Sequence, residues 1–158
     1  MGAAYFYQLK LSPLEGTLPM LLAKARGAGW RIAVRGTDPA RMERLDGILW
    51  DGPDDGFLPH GLAGGPHDAD QPILLGVGDV MSNDPACVMI VDGAEVAADE
   101  VKRLERVCIL FDGADTAALD RARGQWKALT DAGCAAQYWA QDDSGPWVKK
   151  AEKGGTDG

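Results

Sequence analysis

His60 and His67 are the only imidazoles in this chain of 158 residues. His67 lies beside Asp68 and Asp70, and the group could be drawn around a metal. The spacing fits neither a zinc signature nor a facial triad, so no metal ligands are expected. Gly76-Val77-Gly78 follows an apolar run and begins like a dinucleotide-binding loop. Its third glycine is missing, since the position is Met81, and Asn83-Asp84-Pro85 reads as a turn where a capped helix should open. A small nucleotide-binding protein or enzyme using this loop stands as the alternative function. There is no Walker A sequence, no GxSxG elbow, and no serine or cysteine with a suitable histidine near it, so neither catalytic residues nor a cofactor are expected. Cys87, Cys108 and Cys134 are odd in number, far apart and set in apolar surroundings. They read as reduced core thiols of a cytoplasmic protein rather than a disulfide framework or a CxxC site.

Two constellations have the chemistry of binding. The first runs from Arg44 to Gly64, where RLDGILW is followed by an acidic spacer and FLPHGLAG. Trp50, Phe57, Leu58, Pro59 and Leu62 set large apolar groups around a Gly- and Pro-rich loop. They either tuck that loop onto the core or form an exposed patch for a protein partner. The second surrounds Trp126. Leu119, Ala122, Trp126 and Leu129 recur at helical spacing, so Trp126 can be core. Arg123, Lys127 and Thr130 lie within a turn of it, and an aromatic wall flanked by cations suits an acidic, hydrophobic peptide. Gly124 costs this helix about 1 kcal/mol relative to alanine, which suggests a close approach there.

The elements that must position these residues follow from punctuation and periodicity. Tyr5–Leu9 is aromatic and reads as a strand. A helix is expected from a Thr17 cap to Arg26, with Pro19 in its first turn and Leu18, Leu21, Leu22 and Ala25 as its stripe. Trp30–Arg35 is a second strand. Thr37 is expected to cap the next helix, whose buried side is Met42, Leu45, Ile48 and Leu49. Residues 51–71 are rich in Gly, Pro and Asp and read as a long structured loop, of the kind that is usually functional. Short buried strands follow at 73–77 and 87–91, then a weak helix over 97–106 and a continuous apolar strand at 107–111. A helix capped by Asp115 or Thr116 runs to Ala132, and 135–141 is the last strand. Strands alternating with helices predict one α/β domain over 1–148: a three-layer, mostly parallel, Rossmann-like sheet with helices on both faces and room for an antiparallel edge strand. Residues 149–158 are expected to fray.

Charge limits the partners. The chain carries a formal −8. Residues 51–100 hold eleven anions and no Lys or Arg, against seven cations and four anions in residues 1–50 and nine of each in 101–158. An acidic protein holds phosphate backbones and anionic membranes poorly, so any acidic partner must dock on the outer thirds. No apolar run approaches the roughly 18 residues of a transmembrane helix, and no secretory signal is visible at the N-terminus.

RLDGILW with FLPHGLAG, RxxWKALTDAG before the final strand, the aromatic YFYQL strand and WRIAVRG together resemble the chi subunit of bacterial DNA polymerase III, over roughly residues 4–140. The resemblance implies a small, cytoplasmic, non-catalytic α/β adaptor that links the clamp loader, through the psi subunit, to single-stranded DNA-binding protein in replication. It implies that the acidic C-terminal tail of that protein docks at Arg123, Trp126, Lys127 and Thr130. Tyrosine is usual where Trp126 stands, and an arginine can replace Thr130. It further implies that psi, or an alternative partner such as a repair helicase, uses Trp50, Phe57, Leu58, Pro59 and His60. Little or no direct nucleic acid binding and no membrane contact are expected.

Overall fold

The computed structural model describes residues 2–10, 13–51, 59–78, 82–141 and 147–153. In chain order the elements are β1 (Ala3–Leu9), α1 (Leu14–Gly27), β2 (Ile32–Gly36), α2 (Pro39–Trp50), β3 (Gly61–Leu62), β4 (Ile73–Val77), β5 (Cys87–Ile90), α3 (Ala98–Arg103), β6 (Arg106–Asp112), α4 (Thr116–Asp131), β7 (Ala135–Gln141) and β8 (Trp147–Lys153). The strands form one sheet in the order β3-β4-β2-β5-β6-β1-β7-β8. Every pairing is parallel except β7 with β8. The predicted three-layer sheet with an antiparallel edge is the observed one.

Alternation along the strands sorts the core into two layers. Phe6, Ala33, Leu74, Val88, Val107, Ile109 and Ala136 face one side, where Val101 of α3 and Ala118, Ala122 and Leu129 of α4 pack on them. Val34, Leu75, Met89 and Leu110 face the other, against Leu18, Leu22 of α1 and Met42, Leu45 of α2. The central strands β2, β5 and β6 are apolar on both faces, as a sheet covered on both sides requires. Buried Arg35 is the exception. Its guanidinium meets both carboxylate oxygens of Glu100, at 3.1 and 2.8 Å, and donates to the Glu95 carbonyl. This fork, foremost among several causes, holds the Glu100 carboxyl below its ordinary range.

Several local expectations need correction. Helix α1 opens at Leu14, not after Thr17, because Leu14 joins the buried stripe and the Pro13 carbonyl accepts from Gly16 and Thr17. Pro19 therefore sits inside the helix, and Thr17 is a buried core residue rather than a cap. Asp38, not Thr37, caps α2, accepting from the Ala40 N–H at 3.0 Å. The Thr37 hydroxyl instead donates to the Asp92 carbonyl. Residues 147–153 form the edge strand β8, so fraying does not begin at residue 149 and β7 is not the last strand. The three cysteines are free and buried. No helix among the described residues is long and apolar enough to cross a membrane.

Candidate functional site

Helix α4 is the first candidate surface. Asp115 caps it through the N–H groups of Ala117 and Ala118, and its Ala118-Ala122-Leu129 side lies on the sheet. Trp126 sits at the edge of that side, half-buried. Its indole meets Phe6 edge-on with centroids 5.4 Å apart and Tyr138 at 6.1 Å. Tyr138 in turn stacks on Phe6 and abuts Phe111, and its hydroxyl donates to the Gln8 side-chain carbonyl. Burial raises the Tyr138 phenol, and the nearby charge of Arg123 opposes that rise.

The cations flanking Trp126 point to solvent. The Arg123 side chain is 73% exposed and 3.9 Å from Asp120, and that of Lys127 is 79% exposed and 2.9 Å from Asp131. Pairs this exposed are worth little, so either cation can exchange its carboxylate for another. Lys127 holds the Asp131 carboxyl below its ordinary range. The Thr130 hydroxyl is turned inward, donating to the Trp126 carbonyl at 2.7 Å. The close approach expected at Gly124 is absent: a Cβ there would meet nothing within 4 Å.

Next to Trp126, across Tyr138, lies a feature that the sequence reading missed. A cleft of about 540 Å³ is lined by Gln8, Lys10, Gly113, Ala114, Tyr138 and Lys150, among others. The Lys10 N–H donates to the Gln141 side chain at its rim. Only the alternation along β7 and the existence of β8 signal it, and the sequence by itself reads residue 150 as part of a fraying tail.

Trp50 marks the second surface. It ends α2, is 56% exposed, and lies over the His60 ring with centroids 4.8 Å apart. His60, expected on the partner surface, is buried beneath it. Its Nε2 is 3.1 Å from the Asp46 carbonyl and 3.2 Å from the Asp46 carboxylate. Two acceptors require that Nε2 carry a proton, so His60 anchors the chain to α2 and gives Trp50 a seat. Pro59 is exposed. Phe57 and Leu58 lie outside the described residues. Leu62 of β3 and Val77 of β4 are also exposed, at 37% and 43%.

Asp68 spends its carboxylate on the N–H groups of Gly64 and Gly65, and His67 is exposed. No group of three or more metal-ligating side chains occurs among the described residues. Gly78 has φ +71°, and no helix opens between β4 and β5 among the described residues. A larger crevice, about 560 Å³, lies at the carboxyl ends of β1 and β6, where such sheets often bind ligands. Arg41 within it is already paired with Glu15 at 2.9 Å and Asp92 at 3.3 Å.

The family model described as "DNA polymerase III chi subunit, HolC" matches residues 1–137. A curated relative, "DNA polymerase III subunit chi" of Pseudomonas aeruginosa, is 36% identical over 63 residues, covering 40% of this chain and 43% of that protein. The matched stretch is thus less than half the length of either chain.

Proposed function

The chain belongs to the DNA polymerase III chi subunit family, and from that premise we propose that it is a non-catalytic adaptor of the replicative polymerase in the cytoplasm. Family membership supports an accessory role in replication. The finer reading is that α4 receives the acidic C-terminal tail of single-stranded DNA-binding protein, while the Trp50 patch receives psi or an alternative partner and so the clamp loader. The observation that carries it is the half-buried Trp126 between the solvent-directed Arg123 and Lys127. A terminal carboxylate needs a charged donor, and an apolar side chain beside it needs a wall. A pocket this small should bind in the micromolar range, about 8 kcal/mol.

Titration of a labelled tail peptide tests this. Wild type should bind more weakly as salt rises, because the cations are exposed and therefore screened. Lys127→Glu should reduce binding at least tenfold at low salt. Equal affinity for the two proteins, or no response to salt, would exclude α4 as the docking surface. Soaking with nucleotides addresses the alternative, since occupancy at Gly76-Val77-Gly78 would favour it.

A further inference from the structure

Strand β8 lies beyond residue 137, where the family match ends, and it changes the surface beside α4. Between Tyr138/Trp139 of β7 and their partners Ala151/Lys149 the register shifts by one, leaving Lys150 as the extra residue of a bulge. A bulge re-aims the side chain it carries. Lys150 here lines the cleft of about 540 Å³ that Tyr138 shares with the Trp126 clamp. Among the described residues, the charged side chains lining that cleft are those of Lys10 and Lys150. In a chain of formal charge −8, Lys150 thus adds a cation to this surface. Ala140 and the Tyr138 ring give it apolar walls, and Val148, 37% exposed, pairs with Ala140.

We propose that this cleft is a second binding site for carboxylates, taking the acidic side chains of a peptide whose terminus sits on the Trp126 clamp. The inference rests on the tail reading of α4 and extends it to residues that neither the family match nor the clamp includes. Tyr138 connects the two, touching the Trp126 indole on one side and lining the cleft on the other. A chain lying across Tyr138 would bring side chains upstream of its terminus to Lys150. Lysines on an edge strand also discourage strand pairing between molecules, and that alone would account for Lys150. The difference between Lys150 and its neighbour separates the two explanations. Lys149 pairs with Trp139 across the ladder, on the opposite face of the sheet, and bonds Glu152 at 3.0 Å.

The experiment compares wild type, Lys150→Glu and Lys149→Glu, which change net charge equally. Each is titrated at low salt with two peptides ending in the same apolar residue and free carboxylate, one with aspartates upstream and one with asparagines in their place. The aspartate peptide should bind Lys150→Glu about fivefold more weakly than wild type, the range expected for reversing one exposed ion pair. Lys149→Glu should stay within about twofold of wild type, because charge on the other face is screened. The asparagine peptide should bind all three alike. Equal effects of the two substitutions, or a Lys150→Glu loss that persists with the asparagine peptide, would overturn the cleft and leave the clamp standing. No binding of either peptide to wild type would instead bring down the tail reading, and the cleft with it.

Discussion

At the scale of single residues, Trp126 packs on the core and is the wall of the proposed peptide site, and one substitution cannot separate the two. Its ring packs on Phe6 and Tyr138 and presents an edge to solvent. Removing it opens a void between helix and sheet as well as deleting the wall of the pocket. Trp126→Ala should therefore cost about 3 kcal/mol in denaturant unfolding, the low end for a large aromatic because the ring is only half-buried. Trp126→Phe keeps most of the packing and should cost under about 1.5 kcal/mol. If Trp126→Ala were as stable as wild type, the ring would be a surface feature alone. Lys127→Glu is the cleaner probe, since its exposed ammonium bonds only Asp131 among the described residues. Its stability cost should not exceed about 1 kcal/mol, from the lost pair and the new like-charge neighbour. His60 is the complementary case: expected on the partner surface, it is buried and supports the Trp50 ring from below.

Among the elements, α4 carries a glycine that neither packing nor backbone angle requires. Gly124 lies mid-helix, and a Cβ at that position would meet open space. Gly124→Ala should stabilise the protein by about 0.5–1 kcal/mol through helix propensity, readable as a higher denaturation midpoint. Destabilisation would show that something occupies that face in the folded protein. Gly93 is the opposite case. It has φ +80°, and a Cβ would lie 2.6 Å from the Arg121 guanidinium. The same residue type is thus required where the chain turns beside Arg121 and dispensable on the exposed helix face. The extents of α2 and α4 were legible because apolar spacing and a capping residue agree to within one position, Asp115 for α4 and Asp38 in place of the expected Thr37 for α2. The start of α1 was not: Ser12-Pro13 and Thr17 offered two punctuations, and the buried position of Leu14 decided between them.

For the whole molecule, charge sets the terms. With a formal −8, spread so that residues 51–100 contribute no Lys or Arg, the chain should bind single-stranded DNA negligibly at physiological salt. Fluorescence anisotropy of a labelled oligonucleotide should stay flat in protein alone and rise when single-stranded DNA-binding protein is also present. Direct saturable binding of the oligonucleotide would contradict an adaptor that reaches DNA through another protein. The cations that do exist are therefore informative by position. Arg123, Lys127 and Lys150 lie around Tyr138 and Trp126, and Arg35 and Arg41 are consumed inside the fold.

Composition and periodicity by themselves determined the layered α/β architecture and the helices that bear the candidate residues, while the family was legible only through the resemblance of RLDGILW, FLPHGLAG and RxxWKALTDAG to it. These properties are written locally: an apolar stripe every three to four residues, an apolar run for a covered strand, a turn at Gly or Pro. Which groups meet across the sheet was decided only by the tertiary structure. The order of the strands brings Gln8 of β1 to Tyr138 of β7, separated by 130 positions in the chain. The burial of His60 under Trp50 depends on where the loop returns to α2. Strand β8 has a polar sequence because one of its edges is open to water, so no hydrophobic pattern marks it. Its bulge, and with it the placement of Lys150 in the cleft, arises from pairing with β7, a long-range register that no window of neighbouring residues contains.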